Sequence, residues 1–380
     1  QTINKNDNGN GTLQKFTLET DSALNAISYE TNNIDVSGRS LNLYHNSAHQ
    51  YDVSKRSING SYLATNNSEN RWLVESGNVT EYGDYISFNN ATNGLLRKII
   101  ADYQTPDGGY LFFGKTTNGN TSIDRPVVVK VDANMNLVYY TILENHFESN
   151  PPNYEIGYMA AVQAGNDTDY FFIISNSING FSNSRSLEFY KVQDNGSMMS
   201  VLQYAQLASE ANGDDVVQLY RDETKDTAVY ISGSDGSTNE FAVVIETPSN
   251  QPLLRKFSID SSGSVQVVAD YDIKSQGGAE GDQTYFEAVN SGDYIYIVYA
   301  SDTGGTATSD IYVTQLNQSM SVNWHKTIDL TSLGWHERIG GITSIKYGSN
   351  GTGIAITGST IDEDGGDFDG FILLLDSNGD

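Results

Sequence analysis

The chain has 380 residues, 38% of them hydrophobic, which suffices for the core of one large β-domain or two ordinary domains. Its 21 basic and 48 acidic residues leave a net charge of −27, which repels nucleic acid and anionic lipid and excludes both as expected partners. With no cysteine, disulfides, thiolate metal sites and cysteine nucleophiles are excluded as well.

No apolar run has the length of a membrane-spanning helix. The chain begins at Gln1 rather than Met and is rich in Gly, Asn, Ser and Tyr, so the expected location is secreted or on a bacterial cell surface. The first β-like run is TLQKFTLET, Thr12 to Thr20. Further runs (NAISYE, SLNLYH, GSYLATN, RWLVES and DYISFNN) follow before residue 95 without a clear repeat. Residues 1–95 are therefore read as the divergent part of a single 1–380 domain, holding one or two units and a closing strand.

From Leu96 a pattern recurs. Runs ending in a small residue are GGYLFFGKTT, TDYFFIISNS, DTAVYISGSD, DYIYIVYASD and TGIAITGSTI, with Gly114, Ser175, Gly233, Ala300 and Gly358 aligned at separations of 61, 58, 67 and 58 residues. Each is followed by a second run and a tight turn, as in PVVVKVDANMNLVYYTI from Pro126 and SLEFYKVQDNGSMMSVL from Ser186. The Asp-x-x-Gly and Asp-Asn-Gly elements cap such turns and tolerate positive φ, which suits antiparallel hairpins. A third β-like run precedes each pair, giving four strands per unit. Gln203 to Ala211 is the one stretch read as a short helical decoration.

Val, Ile, Tyr and Phe dominate these runs, and a four-stranded sheet with two apolar faces must bury both by stacking. The predicted fold is all-β, a β-propeller of four-stranded blades. A period of about 60 residues favours six blades over seven. The last unit ends after three strands, so Thr12–Thr20 is predicted to supply its fourth and close the ring.

The segments GGYLFFGKTTNGNTSIDRPVVVKVDANMNLVYYTI and TGIAITGSTIDEDGGDFDGFILLLDSNGD, with Val322-Asn323-Trp324, resemble the repeats of secreted β-propellers of the Bacteroidetes group. The resemblance implies the propeller fold and an extracellular location, and it brings no catalytic residue with it.

Asp362, Asp364 and Asp367 stand on a glycine-containing acidic loop that suits a hard cation such as calcium, although its spacing is not that of the helix-loop-helix calcium site. Ser234-Asp235-Gly236-Ser237-Thr238 resembles part of a sialidase-type turn without its Trp. His45 and His49 lie on a strand-to-loop segment rather than on a helix, which argues against a zinc pair. No nucleophile elbow, phosphate loop or His-Glu-x-x-His segment is present. Trp335 and His336, in SLGWHERIGG between two repeats, are the expected binding residues. The expected function is a non-catalytic module binding a neutral or cationic glycan or extracellular protein, with catalysis the less favoured reading. The alternative is a polysaccharide-active glycoside hydrolase or lyase using buried carboxylates.

Overall fold

The computed structural model describes residues 3–5, 12–20, 26–35, 51–53, 61–66, 71–75, 78–81, 87–89, 94–117, 124–133, 136–143, 154–178, 186–209, 218–219, 228–232, 238–246, 252–273, 282–302, 310–329, 336–347, 351–361 and 368–380. The described elements are strands in seven antiparallel sheets. Sheet 1 holds β1 (Ile3–Lys5), β2 (Thr12–Thr20) and β3 (Ala26–Asp35), and sheet 2 holds β4 (Tyr51–Val53), β5 (Ser61–Asn66), β6 (Arg71–Glu75) and β7 (Asn78–Glu81). Sheet 3 holds β8 (Ser87–Asn89), β9 (Gly94–Gln104), β10 (Tyr110–Thr117), β11 (Asp124–Val131) and β12 (Leu137–Ile142). Sheet 4 is β13 (Tyr154–Gln163), β14 (Asp169–Ile178), β15 (Ser186–Asp194) and β16 (Met199–Ser209). In sheet 5, β17 (Gln218–Leu219) and β18 (Ala228–Ser232) both pair with β19 (Thr238–Glu246), followed by β20 (Pro252–Asp260) and β21 (Val265–Asp272). Sheet 6 is β22 (Asp282–Ser291), β23 (Tyr294–Asp302), β24 (Ile311–Asn317) and β25 (Val322–Ile328), and sheet 7 is β26 (His336–Tyr347), β27 (Gly351–Ile361) and β28 (Phe368–Asp376).

Repeated four-stranded antiparallel sheets are what propeller blades require, and their packing follows from strand periodicity. On β14, Phe171 and Ile173 face the core shared with sheet 5, while Tyr170, Phe172 and Ile174 face the core shared with sheet 3. The same alternation gives Ala242 and Val244 to the core between sheets 5 and 6, and Tyr296 and Val298 to the core between sheets 6 and 7. A sheet buried on both faces has no polar face, which explains the unbroken apolar runs in the sequence. With strands counted from β9 in sheet 3, where β8 is an added strand beside it, and from β18 in sheet 5, first strands of successive sheets are neighbours: β9 beside β13, β13 beside β18, β18 beside β22 and β22 beside β26.

The aligned small residues mark a bulge. Gly114, Ser175, Ala300 and Gly358 all lie on second strands, and opposite each of them the first strand carries extra residues. A bulge bends and twists its strand, and a small residue opposite leaves room for the bend. Gly233 itself lies outside the described residues. The run Asp226 to Asp235 contains β18, the first strand of its sheet, while β19 is the second.

A second repeated device joins the sheets. Every fourth strand of sheets 3 to 6 bulges opposite Lys130/Val131, Lys191/Val192, Lys256/Phe257 or Gln315/Leu316. The polar residue at each bulge reaches into the following sheet. Lys130 Nζ donates to Asp194 Oδ2 at 2.8 Å, Lys191 Nζ to Asn239 Oδ1 at 3.2 Å, Lys256 Nζ to the Gln318 carbonyl at 3.1 Å, and Gln315 Nε2 to the Ser377 carbonyl at 2.8 Å. Two of these ties end on Asp-led turns, at Asp194 and at Ser377, one on the Asn317-led turn and one on β19, and the Asp-led turns have a fixed shape. Asp260 Oδ1 accepts from the Ser262 and Ser264 amides, Asp376 Oδ1 from those of Asn378 and Asp380, and Gly263 and Gly379 take positive φ. Met320 fills the same place with φ 66°, held there by burial in the core between sheets 5 and 6.

Seven sheets appear among the described residues, two of them three-stranded, so the sheet count is not a count of the four-stranded blades for which the period prefers six. Two expectations change. Thr12–Thr20 does not complete the last sheet: it is the middle strand of sheet 1, paired with β1 and β3, whereas β1 lies next to β28. The segment read as helical is β16, whose Ala205, Leu207 and Ala208 enter the core shared with sheet 5.

Candidate functional site

Antiparallel order puts the tight turns at one end of the sheets and the longer connections at the other. The long-connection end is where first strands begin, and there the bulge supplies a common level. Two positions beyond the small residue, Ser177, Asp302, Thr360 and Thr116 stand opposite Glu155, Asp282, Glu337 and Leu96. Three of these four equivalent positions are acidic, in a chain where acids occupy 48 of 380 residues, roughly one position in eight. Asp282 and Glu337 are on neighbouring first strands.

Deeper on the same strand, Glu287 stands opposite Val298 and is fully buried. Its Oε2 accepts the Ile342 amide of β26 at 2.6 Å. Burying a carboxylate is costly unless it is hydrogen-bonded, and here the donor belongs to the next sheet. Glu188, also fully buried, accepts from Ser186 Oγ at 3.0 Å and from the Tyr190 hydroxyl at 3.1 Å, on a third strand away from the first strands.

The opposite, tight-turn end carries a cationic knot. Lys130 Nζ is 2.7 Å from Asp107 Oδ2 and 2.8 Å from Asp194 Oδ2, and the Tyr139 hydroxyl donates to Asp194 Oδ1 at 2.8 Å. Burial pulls the Lys130 pKa down, but the two carboxylates outweigh it and the net shift is upward. The bond from Lys130, helped by Thr105, lowers Asp107 to about 2. A depressed carboxyl stabilises the fold above its unfolded pKa, and that contribution disappears as pH falls through the folded value. An acid titration of unfolding is thus expected to show a component lost between about pH 4 and pH 2 that Asp107→Asn removes.

The binding and metal residues expected from sequence are placed only in part. Trp335, Asp362, Asp364 and Asp367 lie outside the described residues, and His336 is the first residue of β26, its side chain also outside them. That position puts His336 next to Glu337, so SLGWHERIGG, expected to bind through Trp335 and His336, leads into the acidic level. Trp324 and His325 are packing groups: the Trp324 indole donates to the Ser377 carbonyl at 3.0 Å, and His325 Nδ1 is 2.9 Å from Thr314 Oγ1, with burial lowering its pKa. No group of three or more His, Asp or Glu side chains suited to a metal ion occurs among the described residues, nor does a helix long and apolar enough to cross a membrane.

Glu155, Asp282 and Glu337 were missed because the strand runs IGYMAAVQ, TYFEAVN and GITSIKY begin just after them. The available signal was the aligned small residue, which fixes a level on each sheet once first and second strands are paired. The expectation that catalysis is the less favoured reading is corrected. Glu155, Asp282 and Glu337 share one register level on the first strands of three sheets, a placement of acidic residues that no sequence motif announces.

No protein-family model matches the chain, and no curated protein matches it. Among solved structures it is similar to a GH43 endo-arabinanase from Bacillus licheniformis, with 16% identity over 72% of this chain and 92% of that one and a TM-score of 0.35. It is similar to an exo-β-1,3-galactanase from Clostridium thermocellum, with 9% identity over 76% of this chain and 61% of that one and a TM-score of 0.37. A cobalt-substituted Synechocystis ACO is also similar, with 11% identity, coverage of 85% and 71%, and a TM-score of 0.45. Glycoside hydrolases thus stand among the structures that the fold resembles, and the Bacteroidetes-type resemblance has no family match behind it.

Proposed function

We propose that the chain is a polysaccharide-active glycoside hydrolase working at the long-connection end of a single propeller domain, with Asp282 and Glu337 as its carboxylate pair and Glu155 at the same level. The observation that carries the reading is the shared register of these three acids on the first strands of sheets 4, 6 and 7. Glycoside hydrolysis needs two carboxyl groups flanking the bond. One donates its proton to the leaving oxygen as the bond from the anomeric carbon breaks; the other takes a proton from the water that attacks that carbon. Stacked sheets lie about 10 Å apart, so acids on facing strands of two sheets suit the roughly 6.5–9.5 Å of an inverting pair better than the closer retaining one.

The substrate is a neutral glycan, since a net charge of −27 with acids at the site repels uronic or sulfated chains. A secreted or surface location agrees with such a substrate. The test is a panel of neutral plant, fungal and bacterial polysaccharides, with the anomer of the first product followed by NMR. Release of the inverted anomer supports the reading; absence of cleavage across the panel sinks it.

Calcium at Asp362, Asp364 and Asp367 belongs to the same proposal, because the segment joins β27 to β28 at the long-connection end. Titration calorimetry at fixed ionic strength is expected to give saturable binding at millimolar calcium, lost when the three are changed to Asn. A signal that follows ionic strength alone removes the ion.

A further inference from the structure

We infer that Glu287 is a positioning residue that sets the distance between Asp282 and Glu337, an inference that rests on the reading of those two acids as the working pair. β22 and β26 belong to different sheets, so the antiparallel ladders that fix register within each sheet do not fix it between them. Glu287 provides a polar tie across that gap, its Oε2 accepting the Ile342 amide at 2.6 Å.

The tie is symmetric with respect to the acids. Asp282 lies five residues before Glu287 on β22, and Glu337 five residues before Ile342 on β26. Both strands run in the same sense, and each has one bulge in between, at Thr284 and at Gly340. Fixing Glu287 to Ile342 therefore fixes the two leading ends at the same height. At the equivalent level stand Asp102 in sheet 3, Ala160 in sheet 4 and Ile342 in sheet 7, so an acid recurs here without being required in every sheet. A fully buried Glu is an expensive way to join two apolar sheets, since hydrophobic packing does so elsewhere in the molecule. What an acceptor adds is direction, and misplacement by about 1 Å can cost a reaction about 100-fold.

The chain has no cysteine, so spin labels at Asp282→Cys and Glu337→Cys are unique. Their distance distribution is measured with Glu287 intact, with Glu287→Gln, which keeps an acceptor, and with Glu287→Leu, which does not. Expected is one narrow distribution for Glu and Gln, and one shifted or broadened by about 1 Å or more for Leu. Glu287→Ser, polar but too short to reach Ile342, replaces Leu if the Leu variant does not fold. In the unlabelled protein, Glu287→Leu or Ser is expected to lower kcat about 100-fold with KM changed less than about threefold, and Gln to restore most of it. Unchanged distances in a folded Leu or Ser variant overturn the inference. Failure of the wild-type chain to cleave any glycan sinks the hydrolase reading instead, and the distances then decide the role of Glu287 by themselves.

Discussion

Asp282→Asn and Glu337→Gln are each expected to lower kcat by about 10²–10⁴ on a neutral polysaccharide, with KM changed only a few-fold, because each removes one proton transfer and leaves the shape of the site in place. The double variant is expected to be little worse than the weaker single one, since acid and base act on the same bond and their losses do not add. Glu155→Gln serves as the internal comparison. It stands at the same level but on sheet 4, separated from sheet 6 by sheet 5, so its loss is expected to raise KM more than it lowers kcat. Initial rates on one purified oligosaccharide measure all four. A kcat within threefold of wild type in both Asp282→Asn and Glu337→Gln rejects the pair.

The second large effect is on stability. Asp194→Ala is expected to destabilise the fold by about 3–5 kcal/mol, the range for breaking a buried ion pair from one side. Asp194 carries three duties at once: it accepts from Lys130 and from Tyr139, and its Oδ1 accepts the Gly196 amide that shapes the turn. Lys130 is only 2% exposed, so without Asp194 it keeps a half-exposed Asp107 as its carboxylate. Urea unfolding at pH 7 measures the change. Lys130→Met is expected to cost less, because the hydrophobic replacement leaves no buried cation behind, while Asp194 retains Tyr139 and the turn amide. A loss below about 1 kcal/mol for Asp194→Ala contradicts the view that these ties hold the sheets together.

Much of the fold was legible because it is local and repeated. Gly114, Ser175, Ala300 and Gly358 align in the sequence, and on the sheets they sit opposite the first-strand bulges; the Asp-led turns also form as their residues dictate. Gly233 misled because sheet 5 splits its first strand into β17 and β18, so an apolar run with the right ending fell one strand early. Thr12–Thr20 reads equally well as a closing strand or as the centre of its own sheet, since a strand pattern names a face and not a partner.

The candidate site was legible only after pairing. Glu155, Asp282 and Glu337 share no motif; they share a distance from a bulge, and that distance is counted across two strands. Glu287 was hidden among 48 acidic residues for the same reason, since its burial and its bond to Ile342 join residues 55 apart in the chain. Charge composition carries an expectation about partners but names no position. A lack of short catalytic motifs was poor grounds for disfavouring an enzyme, because carboxylate pairs are defined by separation in space.

The central claim is that a glycan is bound and cleaved between the first strands of sheets 6 and 7, and a crystal structure of Glu337→Gln with an oligosaccharide of a cleaved polymer tests it most directly. The expected result is a sugar spanning Asp282 and Gln at position 337 at the long-connection end, with its glycosidic oxygen within hydrogen-bond reach of one of them. A sugar bound instead at the tight turns around Lys130 or along the outer strands, with turnover unaffected by the substitution, contradicts it.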